Sequence, residues 1–225
     1  MIRFFPAMCV VTAMVPSMSV MAAEFALYPT GPAADSAFIR FVNASTAPLE
    51  VTAQAGQPPL RLEAANPVSD TFSVDSSKPI TGTLSSGDQN LAIDLKVGPG
   101  EFVSVFTLPS GAGIEQAVVR ETPDDFNANK VSLGFLNADT SCADATLRPA
   151  GRNADLFTAV PVNSAQRRSI NPVSLSVQLV CANANVGAPL DLGTLKAGDR
   201  FSVLLVPSAN GPQLLQASDI PLQSH

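Results

Sequence analysis

Acyl transfer or hydrolysis by a serine or cysteine needs a neighbouring base to take the nucleophile's proton, most often histidine. The chain contains serines throughout but one histidine, and it is the last residue, His225. Terminal residues fray unless something holds them. The sequence therefore predicts no Ser-His-Asp or Cys-His machinery, no catalytic residue and no enzyme activity. Metal chemistry is equally poorly provided for. The cysteines Cys9, Cys142 and Cys181 have no histidine or cysteine partners at zinc-site spacing, and no calcium-loop pattern occurs. Asp124-Asp125, the densest acidic pair, reads as solvated linker. Gly111-Ala112-Gly113 falls between two strand patterns and reads as a hairpin turn rather than a phosphate loop. No cofactor is expected. The 19 acidic residues are too dispersed to single out a carboxylate pair for glycoside hydrolysis. Sugar stacking is poorly served as well: there is no Trp, Tyr28 is the single Tyr, and phenylalanines such as Phe41, Phe102, Phe106, Phe135 and Phe201 lie on strand patterns and read as core.

The elements that would carry any site are strands. Helical periodicity is sparse, 19 prolines punctuate the chain, and β-branched runs alternate with turn residues every 8 to 12 positions, the pattern of an all-β sandwich or barrel. Strands are expected over 37–43, 49–55, 91–97, 102–108 and 115–120, then over 131–137, 145–148, 173–180 and 200–207, with 214–217 as a further candidate. The expected fold is all-β: two tandem β-sandwich domains, Ig-like or jelly-roll-like, behind a cleaved signal peptide.

The signal peptide is read from residues 1–23. Arg3 supplies positive charge, an apolar run follows from Phe4 to Val15, and Met21-Ala22-Ala23 offers small residues for cleavage. That run is too short to span a bilayer, which takes about 20 apolar residues. Export to the periplasm is expected, with no membrane insertion of the mature chain. Cleavage leaves 12 basic against 19 acidic residues. The negative balance argues against nucleic acid and anionic membrane, which both select clustered Lys and Arg. In an oxidising compartment Cys142 and Cys181 are candidates for one disulfide, two buried free thiols being the alternative.

The chain also repeats itself. Phe38–Thr46 (FIRFVNAST) matches Ser132–Thr140 (SLGFLNADT), and Gly100-Glu101-Phe102 to Pro109-Ser110-Gly111 parallels Gly198-Asp199-Arg200 to Pro207-Ser208-Ala209. The offsets of 94 and 98 residues nearly agree, which suggests a duplicated unit of about 100 residues, the size of an Ig-like sandwich. An N-terminal domain is expected over 24–122, a polar Pro-led linker over 123–130, and a C-terminal domain over 131–225.

Two patches carry a family resemblance. Phe25-Ala26-Leu27-Tyr28-Pro29-Thr30-Gly31-Pro32, followed by Ser36 to Ser45, and later Arg168-Ser169-Ile170-Asn171-Pro172-Val173, resemble the AlgF family of periplasmic alginate O-acetylation proteins. Ser169 stands where that family carries an acid, and the Cys142–Cys181 pair is not a feature of the resemblance. The resemblance implies a non-catalytic accessory in the O-acetylation of alginate or a similar exopolysaccharide. The implied partners are periplasmic SGNH-type O-acetyltransferases and a membrane O-acyltransferase, with the polysaccharide itself possible. It also directs attention to Tyr28, Arg40, Arg167, Arg168, Asn171 and Pro172 as candidate partner contacts, Tyr and Arg being favoured interface anchors. Arg40 could equally face solvent on a half-buried strand, and Asn171-Pro172 could simply shape a turn. Readings as a polymer-binding module, an acetyl carrier or a chaperone-like sandwich remain open at this point.

Overall fold

Sixteen strands and no helix make up residues 35–53, 58–111, 113–122 and 127–221, which the computed structural model describes. The first half contributes β1 (Ser36–Asn43), β2 (Leu49–Ala53), β3 (Leu60–Leu62), β4 (Phe72–Asp75), β5 (Ile80–Ser86), β6 (Gln89–Leu95), β7 (Phe102–Ser110) and β8 (Gly113–Glu121). The second contributes β9 (Val131–Asn137), β10 (Asp144–Pro149), β11 (Phe157–Pro161), β12 (Ser164–Ile170), β13 (Val173–Cys181), β14 (Ala184–Leu195), β15 (Arg200–Val206) and β16 (Gln213–Ser218). Tyr28, Asp124-Asp125 and His225 lie outside the described residues.

The internal repeat is architectural. The first half forms sheets β4-β1-β7-β8 and β3-β2-β5-β6; the second forms β12-β9-β15-β16 and β11-β10-β13-β14, the same order. In each half one pairing is parallel, β1 with β7 and β9 with β15. The matched sequence stretches are what build these pairs. Gly100 and Gly198 both adopt the left-handed conformation, φ 74° and 88°, where a side chain would be strained. Their N–H groups donate to Ser36 O and Lys130 O at 2.7 and 2.9 Å, which starts each parallel ladder in the same way. Asn43 and Asn137 end the first strand of each half alike. Each side-chain oxygen accepts from the backbone N–H two residues on, Ser45 and Asp139, and each amide donates to loop carbonyls.

The four sheets stack as layers. Ile39, Phe41, Leu49, Leu84 and Ile93 fill the space between the two sheets of the first half. Leu133, Phe135, Leu147, Val177 and Val203 do so in the second. A third core of Val42, Phe106, Val119, Leu136, Leu204 and Ala217 joins β4-β1-β7-β8 to β12-β9-β15-β16. The two inner sheets are therefore covered on both faces. This explains why β9 is buried at every position and why these strands read as continuous apolar runs instead of alternating ones. The disulfide is formed: Cys142, before β10, is bonded to Cys181, the last residue of β13, with Cα atoms 5.4 Å apart.

Several strands escaped the sequence reading, among them β3, β4, β11 and β14. β3 and β4 span three and four residues, too short to display a period. β14 is largely exposed along its 12 residues, and Gly187, Pro189 and Gly193 read as turn residues among Val186, Leu190 and Leu192, which pack on the second-half core.

Candidate functional site

Side chains alternate across a strand, so on each inner strand one set faces its own half's core and the other faces the seam between the halves. On β1 the seam set is Phe38, Arg40 and Val42; on β7 it is Phe102, Ser104 and Phe106; on β15 it is Ser202 and Leu204. A guanidinium here must find anions within the protein or forfeit its hydration. Arg40, 4% exposed, donates to Asp219, which follows β16. Its Nε donates to Ser104 Oγ at 2.7 Å, and its Nη2 lies 3.9 Å from Glu121 Oε2 at the end of β8.

A second guanidinium reaches the same place from β12. Arg167 Nε lies 3.0 Å from Glu121 Oε1 and Nη2 lies 2.8 Å from Asp219 Oδ2. The space it occupies is left by Gly134, the repeat counterpart of Arg40: a Cβ on Gly134 would stand 2.6 Å from Arg167 Nη2 and 2.9 Å from Ser202 Oγ. Carboxylates Glu121 and Asp219 and hydroxyls Ser104 and Ser202 thus occupy equivalent positions in the two halves, while the arginines do not. Ser202 Oγ sits 2.9 Å from both Asp219 oxygens and accepts from Arg167 Nη2 at 2.9 Å. Two cations and two anions close the network with no net charge.

Burial works against the Asp219 carboxylate, but Arg40 and then Arg167 attract it, and Ser202 donates to it, so its carboxyl is held below the usual carboxylate range. For Arg167 burial again opposes the charge, and Glu121 and Asp219 outweigh it, raising the guanidinium above its ordinary value. Both groups are ionised at neutral pH.

The sequence-derived candidates divide accordingly. Arg40 and Arg167, expected as partner contacts, come together in the seam, 179 residues of sequence bridging Arg40 to Asp219; their charges are neutralised inside the molecule. Arg168 points the other way on β12 and donates to Leu156 O at 2.7 Å. Asn171 and Pro172 form the connection from β12 to β13, with Asn171 Oδ1 accepting from Lys130 Nζ. Beside them a groove of about 540 Å³ is lined by Leu156, Ile170, Val173, Leu175 and Arg152; Val173 is 44% exposed. The sequence reading missed Glu121 and Asp219. Among the described residues no group of three or more His, Cys, Asp or Glu is placed to hold a metal ion.

The family model described as "Alginate O-acetyl transferase AlgF" matches residues 10–201. The chain belongs to the AlgF family. The match spans strands of both halves of this AlgF chain, and the family is one of alginate O-acetylation. No curated protein sequence matches it. Among solved structures, the C-terminal domain of AlgF from P. aeruginosa is similar at 22% identity, covering 40% of this chain and 98% of that one, with a TM-score of 0.34. The Bacillus anthracis TIE protein is similar at 8% identity over 75% of this chain and 33% of its own, TM-score 0.25. A family CBM26 module of Eubacterium rectale Amy13K, solved with maltoheptaose, is similar at 11% identity over 83% and 98%, TM-score 0.25.

Proposed function

We propose that this AlgF-family chain is a non-catalytic periplasmic adaptor. It docks SGNH-type O-acetyltransferases and a membrane O-acyltransferase that together acetylate alginate or a similar exopolysaccharide. The observation that carries this reading is the condition of Ser202. It is 0% exposed, and its hydroxyl is held between the Asp219 carboxylate and the Arg167 guanidinium. A serine nucleophile needs a path for the acyl donor and a base with proton affinity near the working pH. Here the neighbouring carboxylate is a weakened base, and the neighbouring cation stabilises its ionised form. This buried cluster joins a serine to a carboxylate but holds no imidazole among the described residues, and it links the two halves.

The docking surface is assigned to the β12–β13 connection, where Asn171 lines the apolar groove that ends at exposed Val173, with Pro172 between the two and Arg168 bonded to Leu156 of the groove wall; Tyr28, on the segment ahead of β1, is the second anchor. Arg40 and Arg167 serve this surface indirectly by fixing β12 against the other half. An apolar centre with a polar rim is the usual layout of a protein-binding patch.

Purified protein is expected to show no turnover of a chromogenic acetyl ester and to bind a purified acetyltransferase from the same polymer system, with V173D weakening that binding about tenfold or more. Turnover abolished by S202A would defeat the adaptor reading. Retardation in electrophoresis through the polymer, together with binding to neither transferase, would replace it with a polymer-binding module.

A further inference from the structure

The groove at the β12–β13 connection exists because β13 outruns its neighbour. β10 ends at Pro149, which stands opposite Val177, and beyond that pair Ala150 N donates to Ser176 O at 2.8 Å. On its other side β13 stays paired with β14 as far as Val173 opposite Leu195. Along an antiparallel strand the backbone groups of successive residues turn to alternate sides. Ser176 C=O faces the β10 side, so Ser174, two residues earlier, turns its N–H and C=O the same way. Among the described residues no strand pairs with Ser174 there. An unpaired strand end beside an apolar floor accepts an added strand. The floor is formed by half-buried Leu156 and Ile170 and by buried Leu175.

The rim of the groove is positive. Arg152 lines it, is exposed, and makes no ion pair among the described residues. Arg168 donates to Leu156 O at 2.7 Å, and Lys130 Nζ donates to Asn171 Oδ1. Both acceptors are neutral, so both charges remain. Lys196, next to Leu195, is exposed as well. Of the nearby acids, Asp155 is paired with Arg148 at 3.0 Å. Asp191 accepts from Ser176 Oγ at 3.1 Å and from Gly193 N at 3.0 Å, and Asp199 accepts from Lys196 N at 2.6 Å. The cations outnumber the carboxylates that lack a cationic partner, on a chain whose formal net charge is −6. A rim of one sign selects a partner of the other.

We propose, resting on the docking reading of this groove, that it takes an extended acidic segment of the acetyltransferase partner, added beside β13 where β10 has ended. The segment bonds its backbone to Ser174. Its apolar side chains pack on Leu156, Ile170 and Leu175, and its carboxylates meet Arg152, Lys130 and Arg168. An acidic polysaccharide offers carboxylates but no apolar side chains for the floor.

The test measures binding kinetics of the full chain with a purified acetyltransferase from the same polymer system. R152E is expected to slow association about tenfold and to remove much of its dependence on salt. R152K keeps both, and K96E, an exposed charge reversal in the first half, changes neither. The Arg152 side chain supports no bond among the described residues, so an unchanged urea midpoint in R152E accompanies the slower association. In the complex, hydrogen exchange at the Ser174 amide is expected to slow at least tenfold. Weakened binding in V173D with none in R152E, or an unprotected Ser174 in the bound chain, would overturn the acidic strand and leave the docking surface standing. Binding unchanged by V173D and R152E alike would remove the docking surface too. Displacement of the transferase by short chains of bare alginate, bound through Arg152, would make the polymer the occupant and overturn the proposal.

Discussion

The Arg167 guanidinium fills the space that Gly134 leaves empty, so that a methyl group on Gly134 would come within 2.6 Å of Arg167 Nη2. One residue's lack of a side chain is the condition for another's ion pairs. G134A is expected to force Arg167 away from Glu121 and Asp219 and to destabilise the fold by about 1–3 kcal/mol, measured by urea denaturation. Substitution at exposed Ser169 on the same strand pair should stay within about 0.5 kcal/mol. Equal, small effects at both positions would show that the seam absorbs the displaced guanidinium at no cost.

Asp219 gives the fold an acid limit. An aspartate in an unfolded chain protonates near pH 4, whereas in the native state the carboxyl is held lower by Arg40 and Arg167 against the opposing effect of burial. Above that range both states are ionised and the stabilisation is fully present. As pH falls through about 4 toward the native value, the unfolded chain takes up a proton that the native one refuses, and stability declines. Exposed Asp75, lowered to about 2 by the hydroxyl and backbone of Ser77 and by Lys78, acts with the same sign. The urea midpoint should therefore drop below about pH 4. D219N should flatten that drop and cost about 3–5 kcal/mol at neutral pH, because both arginines lose an anion while remaining buried.

The disulfide closes a loop between residues 39 apart in sequence, wholly within the second half. Its removal with C142A/C181A should cost about 4 kcal/mol by the chain-entropy estimate, seen as a lower denaturation midpoint. Non-reducing peptide mapping of the unaltered protein should recover Cys142 linked to Cys181; full labelling of both thiols in the folded protein would contradict the bond.

The fold class was legible because the inner strands are apolar along their length and the turns between strands are rich in Gly, Pro and Asn. The repeat was legible for a sharper reason: the left-handed Gly100 and Gly198 and the capping Asn43 and Asn137 are demanded by backbone geometry, so they persist where the surrounding residues diverge. The seam was not legible. Arg40 between Ile39 and Phe41 looks like the wet side of a half-buried strand, although Phe38 and Val42 on its own face hinted that this side too is apolar. Its partner Asp219 lies 179 residues away, a separation that no local period reports. β4 was missed because four residues are too few to establish a period, and β14 because Gly187, Pro189 and Gly193 within it read as turn residues although Val186, Leu190 and Leu192 share its core face.

Sheets packed face to face stand about 10 Å apart, and this molecule stacks four of them, joined at the centre by a core and a neutral ion network. The outermost sheets are thereby about 30 Å apart. A protein gripped on one outer surface is held at a set distance and orientation from whatever is gripped on the other. Under the adaptor role proposed above, that fixed gauge would set which of two docked partners reaches the same stretch of polymer.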